Sequence, residues 1–343
     1  MKNILVTGGA GFIGSHFIDL LFKNTNCNIV CVDKLTYAGN MKNIEASLKN
    51  GLKFYQEDIA DFIIEKIINE NKIDVVVNFA AQTHVDRSIH NPREFLETDI
   101  MGVFNLVQCC IRQDIERFIH ISTDEVYGSL LPNSFYSPFC ENTYLDPTSP
   151  YSASKACADL LLMSYYKTYS FPVIIVRPCN NYGPRQYPEK LIPMAITRLL
   201  QNEKIILHGE GREIREWIYV KDCCDAILKV LNFSRVGEIY NIGSGFILKN
   251  IDVIRRIILS ICGDVDIKDL NFIEKVQNRP GNDLMYLIDS TKIHEELYDG
   301  IDSYLKTTFY IGLRETINWY KENLSFWEGL DISSNYHNKD YIR

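Results

Sequence analysis

Ser122-Thr123-Asp124-Glu125 sets two carboxylic acids side by side, directly after the apolar run Arg117-Phe118-Ile119-His120-Ile121. Beyond a loop with several prolines, Tyr151 and Lys155 stand four residues apart. These residues supply an acid, a base and a phenol with an ammonium beside it, the groups needed to move protons on and off a small carbon skeleton. A core strand has no use for them, and in open α/β sheets chemistry sits at the carboxyl ends of strands, so Thr123, Asp124 and Glu125 mark the expected site. The four-residue spacing puts Tyr151 and Lys155 on one face of a helix that begins near Tyr151.

A second set of residues reads as a dinucleotide cradle. Asn3-Ile4-Leu5-Val6-Thr7 is apolar and runs into Gly8-Gly9-Ala10-Gly11-Phe12-Ile13-Gly14, after which Ser15 to Lys23 is apolar at helical spacing. In such a strand, turn and helix, Gly8, Gly11 and Gly14 serve the tight turn, the close approach of backbone to a pyrophosphate and the packing of helix on strand. The helix N-terminus then faces the phosphates. Asp33 follows the strand-like run Asn28 to Val32, about twenty residues on, where a carboxylate accepts hydrogen bonds from ribose hydroxyls and repels a 2′-phosphate. NAD is therefore expected rather than NADP. Asp58 ends a third strand, Leu52 to Gln56, where an adenine amino group would be read. A fourth strand, Asp74 to Phe79, ends in Ala80-Ala81-Gln82, small enough to lie under a cofactor.

Strands alternating with helical segments predict a doubly wound parallel α/β sheet of the Rossmann type. From Glu94 to Arg112 the residues Phe95, Ile100, Val103, Phe104 and Val107 predict one amphipathic helix, with Thr98 on it. The alternation loosens after Val173-Ile174-Ile175-Val176-Arg177. This predicts a cofactor domain over residues 1–178 with 217–232 packing back onto it, a smaller α/β substrate lobe over 179–330 with an interleaved boundary, and a polar tail over 331–343.

With 343 residues, 46% apolar and 23% charged, the chain is long enough for a large core and has an ordinary globular composition. A net charge of −8 with scattered basic residues argues against nucleic acid as a partner. The first strand starts at Lys2 or Asn3, leaving no room for a signal peptide, and no apolar run reaches the ~18 residues of a membrane span. A cytoplasmic protein without a membrane partner is expected. The ten cysteines show no C-x-x-C spacing and read as buried thiols, with no metal implied.

In combination these residues resemble the extended short-chain dehydrogenase/reductases, and within them the nucleotide-sugar 4,6-dehydratases. Besides the motifs above, the similarity rests on Asp33 to Asn40, Thr83 to Ser88, Asn180 to Gly183, Pro188 to Pro193 and Arg279-Pro280-Gly281. The resemblance implies an NAD-dependent lyase that oxidises a UDP-glucose or dTDP-glucose at C4, removes water across C5 and C6, and reduces C6. The product is the 4-keto-6-deoxyglucose nucleotide, on the way to rhamnose or another deoxysugar. It further implies that Tyr151 takes the C4 hydroxyl proton with Lys155 lowering its pKa, that Thr123 bonds the C4 oxygen, that Glu125 takes the C5 proton and that Asp124 protonates the leaving C6 hydroxyl.

Cofactor contacts implied in the same way fall on Gly8, Gly11, Phe12, Ile13, Gly14, Asp33, Lys34, Leu35 and Thr36, then on Asp58, Ile59, Ala80, Ala81, Gln82, Thr98, Tyr151, Lys155 and Asn181. Substrate contacts fall on His84, Thr123, Asn180, Glu189, Lys190, Leu191, Leu207, His208, Arg215, Asn250, Arg279 and Asn282, the arginines suiting a diphosphate. A homodimer is also expected. Gln82 and Asn282 depart from the bacterial dTDP-glucose branch, which has Glu and His there, and resemble plant and animal relatives that include UDP-glucose dehydratases. The rivals are a UDP-sugar 4-epimerase or decarboxylase on the same fold, which lacks the paired carboxyls, and a non-catalytic NAD-binding interaction protein.

Overall fold

Short runs of Val, Ile and other apolar residues, buried on both faces, are what a parallel sheet covered on both sides requires. The computed structural model, which describes residues 2–130, 137–263, 272–298 and 303–330, turns these runs into strands. They are β1 (Asn3–Thr7), β2 (Asn28–Val32), β3 (Lys53–Tyr55), β4 (Val75–Asn78), β5 (Arg117–Ile121) and β6 (Val173–Pro178). After them come β7 (Asn180–Tyr182), β8 (Ile205–His208), β9 (Ile214–Tyr219), β10 (Ile239–Ile242), β11 (Ile247–Lys249) and β12 (Ile273–Val276). The expected polar tail at 331–343 and Pro132 of the loop before Tyr151 lie outside the described residues.

Seven strands form one parallel sheet in the order β3-β2-β1-β4-β5-β6-β10. Strand order reverses between β1 and β4, so a crevice opens beyond their carboxyl ends, the place where such folds bind ligands. One face of the sheet is covered by Phe17, Ile18 and Leu21 of the helix Phe12–Asn24 and by Cys223, Ile227 and Val230 of the helix Val220–Phe233. The other face packs Ile64, Ile67, Val103, Leu106, Ala158 and Leu162. Two smaller sheets, β11-β9-β7 and β12-β8, hold the remaining strands.

The two parts interleave. Only Cys179 separates β6 from β7, so the chain leaves the large sheet and enters the small one within one residue, which puts Asn180 and Asn181 at the junction. Trp217 to Tyr219 belong to β9 of the small sheet, whereas the helix that follows packs on Phe12–Asn24 and β10 returns to pair with β6. The sequence reading ends that return at Asn232 and contains no counterpart of β10, a strand of only four residues.

The segment read as one helix from Glu94 to Arg112 is a composite. Pro92–Phe95 is α-helical, Leu96–Gly102 is a π-helix and Val103–Arg112 is α-helical again. Wide π turns inside α-helices are frequent at functional sites. Here the wide turn sends Asp99 into the interior, 1% exposed, and leaves Phe104 38% exposed instead of packed on the sheet. The cysteines also differ from the expectation of uniformly buried thiols. All ten are free, but Cys140, Cys157 and Cys262 are exposed. Among the described residues no helix is long and apolar enough to cross a membrane.

Candidate active site

A groove runs across the carboxyl ends of β1, β2 and β4 and ends against β5. Its floor begins at Gly8, which holds φ at +67°, a left-handed conformation that a side chain would strain. A Cβ on Gly14 would come within 2.4 Å of the Gly8 carbonyl oxygen, so only glycine lets the helix start lie this close to the turn. That helix, Phe12–Asn24, is preceded by Gly11 and has neither a capping side chain nor an acid in its first turn. Its unpaired first N–H groups are left for an anionic ligand.

Asp33 closes the next part of the groove. Its carboxylate accepts the Ala10 N–H at 2.9 Å and the Leu35 N–H at 2.8 Å. Burial pushes its pKa up while those N–H groups hold it down. Leu35 serves this turn in a left-handed conformation and does not line the groove, unlike Phe12, Ile13, Lys34, Thr36, Asp58, Ile59, Ala80, Ala81, Gln82, Thr98 and Asn181. Lys34 pairs with Asp58 at 2.6 Å.

Where the groove meets β5, the short 3-10 helix Asp124–Tyr127 is capped by Thr123, whose Oγ1 accepts the Glu125 N–H at 3.3 Å. The cap fixes the two acids in different surroundings. Asp124 is 1% exposed, and its Oδ2 has no hydrogen-bond partner among the described residues. Burial first, then Glu125 and Glu216, push its pKa well above the carboxylate range. Burial also raises Glu125, but Lys190, Arg279 and Arg215 oppose the rise. Of the pair, Asp124 is thus the group that keeps a proton and Glu125 the one that gives it up.

Tyr151 and Lys155 come from the helix Pro150–Tyr169. Ser149 and Ser152 form a reciprocal capping box with Pro150 at the first turn, which starts the helix one residue before Tyr151. Both residues are buried, and both line the groove with Thr123, Asp124 and Glu125. The Lys155 ammonium donates to the Ile121 carbonyl at 2.7 Å and lies 3.4 Å from His120 Nε2. Burial and the nearby Glu125, Asp99 and Asp124 push the Tyr151 phenol well above its usual range, against a hydrogen bond with Thr123. The net direction is upward, opposite to the lowering by Lys155 that the resemblance implies.

A second pocket adjoins the first at Glu125, Asn180, Glu189 and Lys190. It brings together every remaining substrate residue read from the sequence: His84, Leu191, Leu207, His208, Arg215, Asn250, Arg279 and Asn282. Arg215 donates to the carbonyls of Ile214 and Asp283 at 2.9 and 2.8 Å, with its guanidinium over the Tyr286 ring. Arg279 donates to Asp86 at 3.1 Å, while its Nε has no partner among the described residues, nor has Oδ1 of Asn250 or Asn180. Unmet donors and acceptors around two guanidinium groups fit a phosphorylated ligand with hydrogen-bonding groups of its own. Asn282 donates to Glu213 at 3.0 Å.

Several contacts escaped sequence reading. Tyr37 of the loop after β2 donates to Glu189 at 2.9 Å, and the Arg87 guanidinium lies 3.5 Å from its ring centre. Asp99, Ser154, Gln186, Glu213 and Tyr286 likewise sit in or behind the site. Asp99 alone left a signal, as an acid four residues from Phe95 and four from Val103, inside an apolar stripe.

Residues 5–298 match the protein family described as GDP-mannose 4,6 dehydratase. The chain is 41% identical over 335 residues to dTDP-glucose 4,6-dehydratase of Streptomyces niveus, covering 95% of each. It is 41% identical over 334 residues to human dTDP-D-glucose 4,6-dehydratase, covering 96% of this chain and 93% of the human one. A solved dTDP-glucose 4,6-dehydratase from Streptomyces venezuelae with NAD bound superposes with a TM-score of 0.89 at 40% identity, over 95% of this chain and 99% of that one. The glycine turn, the paired carboxyls and the buried Tyr151 and Lys155 thus belong to a lyase, and the chain is a member of the nucleotide-sugar 4,6-dehydratases of the extended short-chain dehydrogenase/reductases.

Proposed function

We propose that this protein converts dTDP-glucose to its 4-keto-6-deoxy derivative. The observation that carries the reading is the division of labour at Asp124 and Glu125, two adjacent buried acids on one capped turn: burial raises both, three cations oppose the rise in Glu125, and like charge adds to it in Asp124. An epimerase moves no water and has no need of such a pair. A silent binding protein would not bury Tyr151, Lys155 and Asp124 around a groove.

The glycine turn, the open helix start and the Asp33 carboxylate fit NAD, which when bound accepts a hydride from C4 and returns it to C6. Gly8, Gly11, Phe12, Ile13 and Gly14 would hold its pyrophosphate and Asp33 its ribose hydroxyls. Tyr151, as the phenolate, takes the proton from the C4 hydroxyl, and Thr123 holds the C4 oxygen. The ketone then acidifies C5, Glu125 removes that proton, and Asp124 gives its own to the departing C6 hydroxyl. A proton carried by Asp124 also cancels one of the negative charges that oppose ionisation of Tyr151.

The relatives named for dTDP-glucose favour thymine over uracil, which the residues Gln82 and Asn282 had left open. The two bases differ by a methyl group, worth about 1–3 kcal/mol in a pocket. Comparing kcat/KM for dTDP-glucose and UDP-glucose decides between them: the expected preference for dTDP-glucose is about tenfold or more, and a preference for UDP-glucose would reverse this assignment.

Glu189 lines the groove and Tyr37 lies between its lining residues Thr36 and Ala38, so their hydrogen bond straps the loop after β2 to the segment before the helix Leu191–Leu200. Tyr37→Phe removes that bond without removing the ring under Arg87. The variant is expected to release NAD about threefold to tenfold faster, matching one net hydrogen bond. Fluorescence of released dinucleotide after dilution measures this, and an unchanged rate would remove the strap from the account.

A homodimer is proposed through the face that exposes Met101 (54%), Phe104 (38%) and Leu160 (62%) on neighbouring helices.

A further inference from the structure

We propose that His120 is a positioning residue of Lys155, its Nε2 accepting the ammonium while the buried row Thr7, Asn78 and His120 holds the ring in the tautomer that lets it accept. The inference rests on the dehydratase reading only for its kinetic test.

The row is made by the sheet. In the register of β1, β4 and β5, Thr7 stands opposite Asn78 and Asn78 opposite His120, so the three side chains share one face. It is the face covered by the helix that carries Lys155, since Leu5, Val76 and Phe118, two residues back on each strand, pack with Ala158 and Leu162 of that helix. All three row residues are fully buried, and a buried polar atom destabilises the fold unless it is hydrogen-bonded. The row meets that demand from within. Thr7 Oγ1 and Asn78 Oδ1 are 2.6 Å apart, Asn78 Nδ2 and His120 Nδ1 3.1 Å, and His120 Nε2 and Lys155 Nζ 3.4 Å. One end thus adjoins Gly8 of the cofactor turn and the other ends on Lys155.

The charge of Lys155 sets the direction of the row. Burial, Lys155 and Arg177 keep His120 neutral, so one ring nitrogen carries a proton and the other is bare. An ammonium only donates. Lys155 gives one hydrogen to the Ile121 carbonyl at 2.7 Å, and among the described residues its other hydrogen-bond neighbour is His120 Nε2. For Nε2 to accept, the ring proton must sit on Nδ1, and Asn78 must meet it with oxygen. With Nδ2 turned to Nδ1, the ring proton would fall on Nε2 and two donors would face each other. A half-turn of the Asn78 amide exchanges its oxygen and nitrogen in place. The row then runs from Lys155 through His120 and Asn78 to the Thr7 oxygen, with each donor meeting an acceptor. The rival for Nε2 is Asp159 Oδ1, which lies 3.9 Å away, has no hydrogen-bond partner among the described residues and favours a proton on Nε2. Lys155 is nearer, and the charge of Asp159 is already met by Arg177 at 2.9 Å.

Two-bond ¹H–¹⁵N spectra of the protein labelled at histidine distinguish a bare ring nitrogen from a protonated one, with His120 assigned by its absence in His120→Gln. The expected wild-type pattern is a proton on Nδ1 and a bare Nε2. In Lys155→Met, where Asp159 is left as the polar neighbour of Nε2, the proton is expected to move to Nε2. A proton on Nε2 in the wild type, or an unchanged tautomer in Lys155→Met, would overturn the proposal. Turnover gives a second reading. His120→Phe keeps a ring but offers no acceptor, and it is expected to lower kcat about tenfold or more, the scale of one hydrogen bond to a charged group. His120→Gln, whose amide oxygen can stand in for Nε2, is expected to recover most of that loss, and equal losses in the two variants would also overturn the proposal. Should His120→Phe fail to fold, the wild-type tautomer still decides. An inactive wild-type enzyme would refute the dehydratase reading and leave the tautomer test standing.

Discussion

Glu125→Gln stops elimination, with turnover falling about 10²–10⁴-fold, the usual range for loss of a general base. The amide keeps the size of the carboxyl but cannot take the C5 proton, so incubation in deuterated water leaves C5 unlabelled. Asp124→Asn fails differently. Without a proton to give to the C6 hydroxyl it slows the loss of water, yet C5 exchange continues because Glu125 is intact. The contrast follows from the surroundings: Lys190, Arg279 and Arg215 act on Glu125, whereas Asp124 faces Glu125 and Glu216 with Arg215 and a Thr123 hydrogen bond against them. The same asymmetry makes the pH profile bell-shaped. The rate rises as the pair loses its first proton, chiefly from Glu125, and falls as the second leaves Asp124. Equal, small losses in both variants, or exchange at C5 in Glu125→Gln, would contradict these roles.

Tyr151→Phe blocks the first step. The phenol is the group that meets the C4 hydroxyl proton, and its loss lowers oxidation by about 10²–10⁴-fold. Stopped-flow absorbance of the reduced nicotinamide isolates that step, because in Glu125→Gln it should still appear and in Tyr151→Phe it should not. A Tyr151→Phe enzyme that oxidises C4 at the normal rate would transfer the role of base to another residue.

What could be read from the sequence is what short spacing encodes. Gly8, Gly11 and Gly14, the acid at Asp33, the Thr123-Asp124-Glu125 triplet and the four-residue step from Tyr151 to Lys155 each lie within one turn or one element, and each names its chemistry locally. The parallel sheet was legible for the same reason, as β-branched runs alternating with helices. Partners that meet only through the fold were not. Tyr37 finds Glu189 across 152 positions and Arg279 finds Asp86 across 193, and nothing local announces either contact. Asp99 was hidden differently. Its place in the apolar stripe between Phe95 and Val103 marks it as inward-facing, but its partners Gln82 and Ser154 come from other elements and the π turn that carries it has no local mark. β10 was lost because four residues, Ile239 to Ile242, carry too little pattern to separate from their surroundings.

Mass spectrometry of the product formed from dTDP-glucose tests the central claim most directly. A 4,6-dehydratase gives a nucleotide sugar lighter by one water, and deuterium placed at C4 of the substrate appears at C6 of the same product molecule. A product of unchanged mass, or deuterium that passes to other molecules in a mixture with ¹³C-substrate, would contradict it.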